Sequence, residues 1–67
     1  MNSLEVTFIV PTLNEKQNID KILTLILKTI ANLKISYEII FVDDESNDGT
    51  IETIDNLIKQ YDNIKLI

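Results

Sequence analysis

Tyr37-Glu38-Ile39-Ile40-Phe41-Val42-Asp43-Asp44-Glu45-Ser46-Asn47-Asp48-Gly49-Thr50 is the stretch on which the fold turns. Its first half is a short apolar run rich in β-branched and aromatic side chains. The run is too brief to cross a membrane and reads as a buried strand. Four acidic residues, the single glycine of the chain and a threonine follow at once. A buried strand that empties into a polar, acidic turn and then a helix puts that turn at the strand's carboxyl end. Open α/β sheets take their ligands there.

Working outward toward the N-terminus, Val6-Thr7-Phe8-Ile9-Val10 reads as another strand. Pro11, which has no N–H for a ladder, is expected to end it. The turn from Pro11 to Glu15 leads to a helix that starts near Asn18 as N-cap, with Asp20 facing the positive end of the dipole. Ile19, Ile22, Leu23, Ile26, Ile30 and Leu33 recur at helical spacing and form one stripe, widened by Leu25 and Leu27. Lys34 to Ser36 link this helix to the central strand.

Toward the C-terminus, Thr50 is expected to cap a second helix with Glu52 in its first turn. Ile51, Ile54, Leu57, Ile58 and Tyr61 make its apolar face, Asp62-Asn63 breaks it, and Ile64 to Ile67 begin a third strand. The order β-α-β-α-β, with helical crossovers, requires parallel strands. The expected class is therefore α/β, a three-stranded, Rossmann-like parallel half-sheet. Because parallel sheets are covered on both faces, residues 1–67 read as one incomplete portion of a larger domain. No internal repeat or low-complexity segment interrupts the pattern.

Composition narrows the function classes. With 67 residues, any core is marginal. The 45% hydrophobic content places the chain among globular rather than disordered sequences. No cysteine and no histidine are present, which removes disulfides, thiolate metal sites and the usual general base near neutral pH. The net charge of −5, with six scattered lysines and no arginine, argues against a nucleic-acid partner. Met1-Asn2-Ser3-Leu4-Glu5 lacks the basic start of a signal peptide. The longest apolar stretch, Ile22 to Leu33, carries Lys28 and falls short of the roughly 20 residues a span needs. A cytosolic chain is expected.

Two turns, Pro11 to Glu15 and Asp43 to Gly49, follow neighbouring parallel strands and so face one rim. Glu15, Asp43, Asp44 and Asp48 can converge there. Ionised carboxylates accept hydrogen bonds only, which suits N–H donors of a uracil or guanine edge or sugar hydroxyls. The same residues are also favoured at a helix N-terminus by capping and the dipole, with no ligand at all. Asp48 and Thr50 fit that simpler role, Gly49 fits a turn with free φ, and Glu15 reads as a solvated charge. Phe8, Tyr37 and Phe41 are expected in the core and the lysines on the surface.

Two motifs carry a resemblance. Val10-Pro11-Thr12-Leu13-Asn14-Glu15, followed by Asn18-Ile19, resembles the opening signature of family 2 glycosyltransferases, especially the dolichol- or polyprenyl-phosphate sugar synthases. Val42-Asp43-Asp44-Glu45-Ser46-Asn47-Asp48-Gly49-Thr50 is similar to their second signature, an Asp-Asp-x-Ser-x-Asp-Gly-Thr turn. The two motifs occur in order, at strand ends, with a matching helix between, and the resemblance spans essentially the whole chain.

The resemblance implies the N-terminal, nucleotide-binding half of a GT-A fold, truncated here. The parent would move a sugar from a GDP- or UDP-linked donor to a polyprenyl phosphate or a glycan. It implies that Pro11, Leu13 and Glu15 line the nucleoside pocket. Val42 and Asp44 would flank the base, the Asp44 carboxylate taking its ring N–H, while Asp43 and Ser46 support the turn. Leu13 stands where many members have tyrosine, so a stacking contact is missing. Glu45 stands where glycine is common, so no positive φ is expected there.

The family's Asp-x-Asp site for Mg²⁺ or Mn²⁺, its acceptor pocket and its catalytic base would all lie beyond Ile67. No catalytic or metal-binding residue is therefore assigned in this chain, which is expected to be catalytically silent alone. The resemblance also implies that the parent can sit at the cytoplasmic membrane face through its lipid acceptor. Two rival readings stand beside this. A phospho-acceptor-type α/β domain also uses paired aspartates, but carries them after its first strand. A non-enzymatic, self-associating fragment would form a homo-oligomer through the open edge of its first strand.

Overall fold

The computed structural model describes residues 5–67. Residues 1–4, counted above in the domain and in the reading of the N-terminus, lie outside the described residues. The chain runs β1 (Val6–Thr12), α1 (Ile19–Ile30), β2 (Tyr37–Asp43), α2 (Thr50–Gln60) and β3 (Ile64–Leu66), with a 3-10 turn at Lys16–Asn18 before α1. Among the described residues the strands form one parallel sheet in the order β1-β2-β3. This is the α/β, Rossmann-like half-sheet that the pattern of apolar runs requires.

The register explains where the core lies. Phe8, Ile39 and Ile64 form one cross-strand row, and Val10, Phe41 and Leu66 the next. These rows face the helices, because Ile39, Phe41 and Ile64 share one buried cluster with Ile19 and Leu23 of α1 and Ile54 and Leu57 of α2. Phe41 is wholly buried, whereas Phe8 and Tyr37 are half-buried and meet edge to face, their centroids 6.4 Å apart. The alternate residues Thr7, Ile9, Glu38, Ile40, Val42 and Lys65 occupy the opposite face. There Glu38 accepts from Thr7 Oγ1 at 3.0 Å and pairs with Lys65 Nζ at 3.1 Å. These contacts hold the Glu38 carboxyl below its usual range, Lys65 contributing most and Thr7 next. Ile9 on this face is 60% exposed.

Four local expectations are corrected. Pro11 does not end β1, which continues to Thr12. Val6 N–H donates to Ser36 O at 3.2 Å, and Thr12 O accepts from Asp44 N–H at 2.9 Å, so even-numbered residues of β1 bond to β2. Alternation then points the position of Pro11's missing N–H away from β2, where no strand lies among the described residues and a proline is tolerated. Asn18 occupies the N-cap position of α1, but its side chain makes no cap. The Glu15 carbonyl accepts from both Asn18 and Ile19 N–H groups, tightening the start into 3-10 geometry, and Asn18 Nδ2 turns to Glu15 Oε2 at 3.3 Å. Thr50 is likewise not the cap of α2; Gly49 precedes the helix in the left-handed region, at φ 98°. Leu33, assigned to the first helix stripe, lies past the end of α1 and is exposed.

Candidate functional site

The parallel register places Thr12 opposite Asp43, so the loops that leave β1 and β2 emerge side by side at one rim. Each loop then bonds to the other along its length. Thr12 Oγ1 donates to Asp43 Oδ1 at 2.7 Å, and Asn14 N–H donates to Ser46 Oγ at 2.7 Å. Asn47 N–H donates to Asn14 Oδ1 at 3.0 Å. Glu15 N–H donates to Thr50 Oγ1 at 2.9 Å, and Lys16 N–H to Asp48 Oδ2 at 3.2 Å. The unpaired N–H groups at the start of the first helical segment thus find acceptors on the second loop, as buried or half-buried backbone requires.

The second loop is closed on itself by Asp43. Its Oδ2 accepts Ser46 N–H at 2.7 Å, and its Oδ1 accepts Ser46 Oγ–H at 2.6 Å. The Ser46 hydroxyl, the Ser46 amide and the Thr12 hydroxyl, in that order, hold the Asp43 carboxyl below its usual range. Drawing Ser46 back over two intervening residues forces a tight turn, and Glu45 adopts φ 57°. This overturns the expectation that no positive φ occurs at Glu45. Among the described residues Asn14 is the other non-glycine residue at positive φ, 52°, a region that asparagine tolerates better than most.

Asp48 performs the capping that was assigned to Thr50. Its Oδ1 accepts from both the N–H and the hydroxyl of Thr50, and its Oδ2 takes Lys16 N–H. The Thr50 hydroxyl is the main reason that the Asp48 carboxyl titrates below its ordinary value. Thr50 itself has no exposed surface.

Between the loops lies a groove of about 430 Å³ lined by Pro11, Thr12, Leu13, Val42, Asp43 and Asp44. Pro11, Leu13 and Val42 supply apolar walls; Leu13 is 54% and Val42 38% exposed. Among the described residues the Asp44 carboxylate accepts no hydrogen bond, which leaves it available to a donor in the groove. Of the residues singled out from the sequence, Pro11, Leu13, Val42, Asp43 and Asp44 line one hollow. Ser46 and Glu15 do not line it; Ser46 is bonded to Asp43, which does. A second, polar hollow of about 480 Å³ adjoins, lined by Asn14, Lys16, Gln17, Asn18 and Asp48.

Among the described residues no group of three or more carboxylates is placed to hold a metal ion. The oxygens of Asp43 and Asp48 already accept protein hydrogens. Among the described residues no helix is long and apolar enough to cross a membrane.

Asn14, Thr12 and Thr50 were not singled out as site residues from the sequence, because each looks like an ordinary turn or cap residue there. Their partners lie more than thirty positions away, and only the register shows the pairing.

Comparison with known proteins bears on this arrangement. Residues 7–67 match Glycosyl transferase family 2. A dolichol-phosphate mannosyltransferase of Saccharomyces cerevisiae is 38% identical over 66 residues, covering 97% of this chain and 25% of that protein. A protein of the same name from Pyrococcus furiosus is 36% identical over 58 residues, covering 87% of the chain and 16% of its own length. An uncharacterised glycosyltransferase of Synechocystis sp. is 31% identical over 65 residues, covering 97% of the chain and 20% of the relative. The chain thus spans between 16% and 25% of the length of these relatives.

Proposed function

The chain belongs to glycosyl transferase family 2, and from that premise we propose that its rim groove receives the nucleoside of an activated sugar. The reading is carried by one observation: two loops bonded side by side enclose apolar walls and one uncommitted carboxylate, Asp44. Pro11, Leu13 and Val42 cover the faces of the base, and Asp44 accepts its ring N–H. Asp43 and Ser46 hold the loop that presents Asp44, and Glu15 fixes the entry to α1 from behind. Leu13 gives a shallower apolar contact than an aromatic ring would, so binding by these residues alone is weak.

The parent protein, in this reading, transfers a sugar from a GDP- or UDP-linked donor to a polyprenyl phosphate or a glycan. Transfer requires a base that deprotonates the acceptor and a cation, Mg²⁺ or Mn²⁺, that stabilises the leaving diphosphate. Neither role is assigned to residues of this chain, so the chain alone does not catalyse transfer. A lipid acceptor would bring the parent to the cytoplasmic membrane face. The chain alone self-associates through the outer edge of β1, whose backbone groups have no partner strand among the described residues.

Titration of the chain with UDP and with GDP, with and without Mg²⁺, followed by amide NMR, tests the groove. The expected result is shifts at Leu13, Val42 and Asp44 with one of the two nucleotides, weakened about tenfold in Asp44→Asn through loss of a charge-assisted acceptor. Shifts confined to other surfaces, or equal binding by the variant, would overturn the assignment.

A further inference from the structure

We infer that Asn14 is a positioning residue: it locks the two rim loops at one separation and thereby sets the width of the groove between Leu13 and Asp44. Asn14 bonds reciprocally across the rim. Its N–H donates to Ser46 Oγ at 2.7 Å while its Oδ1 accepts Asn47 N–H at 3.0 Å. Ser46 Oγ–H in turn donates to Asp43 Oδ1, the oxygen that also takes the Thr12 hydroxyl. A continuous hydrogen-bonded chain therefore runs from Asn14 through Ser46 and Asp43 back to β1.

That chain meets both walls of the groove. Asn14 follows Leu13 directly, and Asp43 lies between Val42 and Asp44. The backbone of Asn14, at φ 52°, aims its N–H and its side chain at the facing loop together. Asparagine and aspartate adopt this region with little strain and place an acceptor on the γ-carbon; glycine adopts it but has no acceptor, and alanine meets both penalties. The position thus demands a left-handed backbone and a short acceptor at once. Asn14 itself does not line the groove, so its influence on a ligand there passes through Leu13 and Ser46.

The inference rests on the nucleoside reading of the groove, and the test separates the two. Wild type, Asn14→Gly and Asn14→Asp are compared as the full 67-residue chain, by amide hydrogen exchange and by NMR titration with uridine and with guanosine. The neutral nucleosides keep the added charge of Asn14→Asp from acting on a phosphate. In Asn14→Gly, exchange at Asn47 and Ser46 rises about tenfold while Ile39 to Phe41 are unchanged, and nucleoside affinity falls about tenfold, the scale of one lost hydrogen bond. Asn14→Asp recovers both. Unchanged exchange in Asn14→Gly overturns the inference, as does altered exchange with unaltered affinity, or failure of Asn14→Asp to rescue. If wild type binds neither nucleoside while exchange behaves as described, the clasp stands and the nucleoside reading falls.

Discussion

Replacing Thr50 by valine or by serine asks whether the rim is held by hydrogen bonds or by shape. Thr50 has no exposed surface, and its Oγ1 accepts Glu15 N–H at 2.9 Å while donating to Asp48. Valine preserves the volume and removes the hydroxyl. Asp48 is exposed and keeps Thr50 N–H and Lys16 N–H, so water replaces its lost donor easily. Glu15 N–H is half-buried and is left without an acceptor, which costs about 1–3 kcal/mol. Serine keeps the hydroxyl and loses one methyl, about 0.8 kcal/mol of burial. The two residues have similar helix propensity, so the comparison is not biased by α2. Taking about 2 kcal/mol for valine, and about 4–8 °C per kcal/mol in a domain of this size, Thr50→Val lowers the melting midpoint by about 8–16 °C. Thr50→Ser lowers it by about half as much or less. Thermal melts followed by circular dichroism measure both. If serine costs as much as valine or more, volume and not the hydroxyl holds the rim, and the reasoning fails.

Other expectations follow from the same geometry. Ile54→Ala removes a wholly buried side chain that joins α2 to the sheet. It costs about 2–5 kcal/mol, a large share of the roughly 3–10 kcal/mol available to a chain this short, and urea denaturation registers it as a shifted midpoint or an unfolded chain. Asp43, Asp48 and Glu38 all titrate below their ordinary values in the folded chain. Their contribution is therefore complete above the ordinary carboxylate range and is lost as pH falls through about 4 and below. The urea midpoint holds steady from about pH 7 to 5 and then drops, less steeply in Asp43→Asn; an identical acid limb in that variant would rule Asp43 out as a contributor. Glu45→Gly relieves a left-handed backbone but loosens the unfolded chain, so its stability stays within about 1 kcal/mol of wild type. Glu45→Val, β-branched at φ 57°, is less stable than either, and a reversed order of urea midpoints would remove the steric argument.

Element types and order were legible because hydrophobic periodicity is a local property. Ile19, Leu23 and Ile30 recur at helical spacing whatever surrounds them, and β-rich apolar runs separated by helical crossovers leave little choice but a parallel sheet. The two signature motifs likewise pointed to the family, and the placement of both turns at one rim followed from parallel strands alone. What the chain order could not decide was which polar atom answers which. Pro11 stays within β1 because its missing N–H falls on the side away from β2, where the described residues place no strand. Glu45 takes a positive φ because Asp43 draws Ser46 back, and Thr50 serves Glu15 instead of its own helix. The Asp43–Ser46 bond is local, but the bonds from Thr12 to Asp43 and from Glu15 to Thr50 join residues 31 and 35 positions apart. Hydrogen bonds are short-ranged and directional, so only the parallel register, once formed, brings such groups within reach.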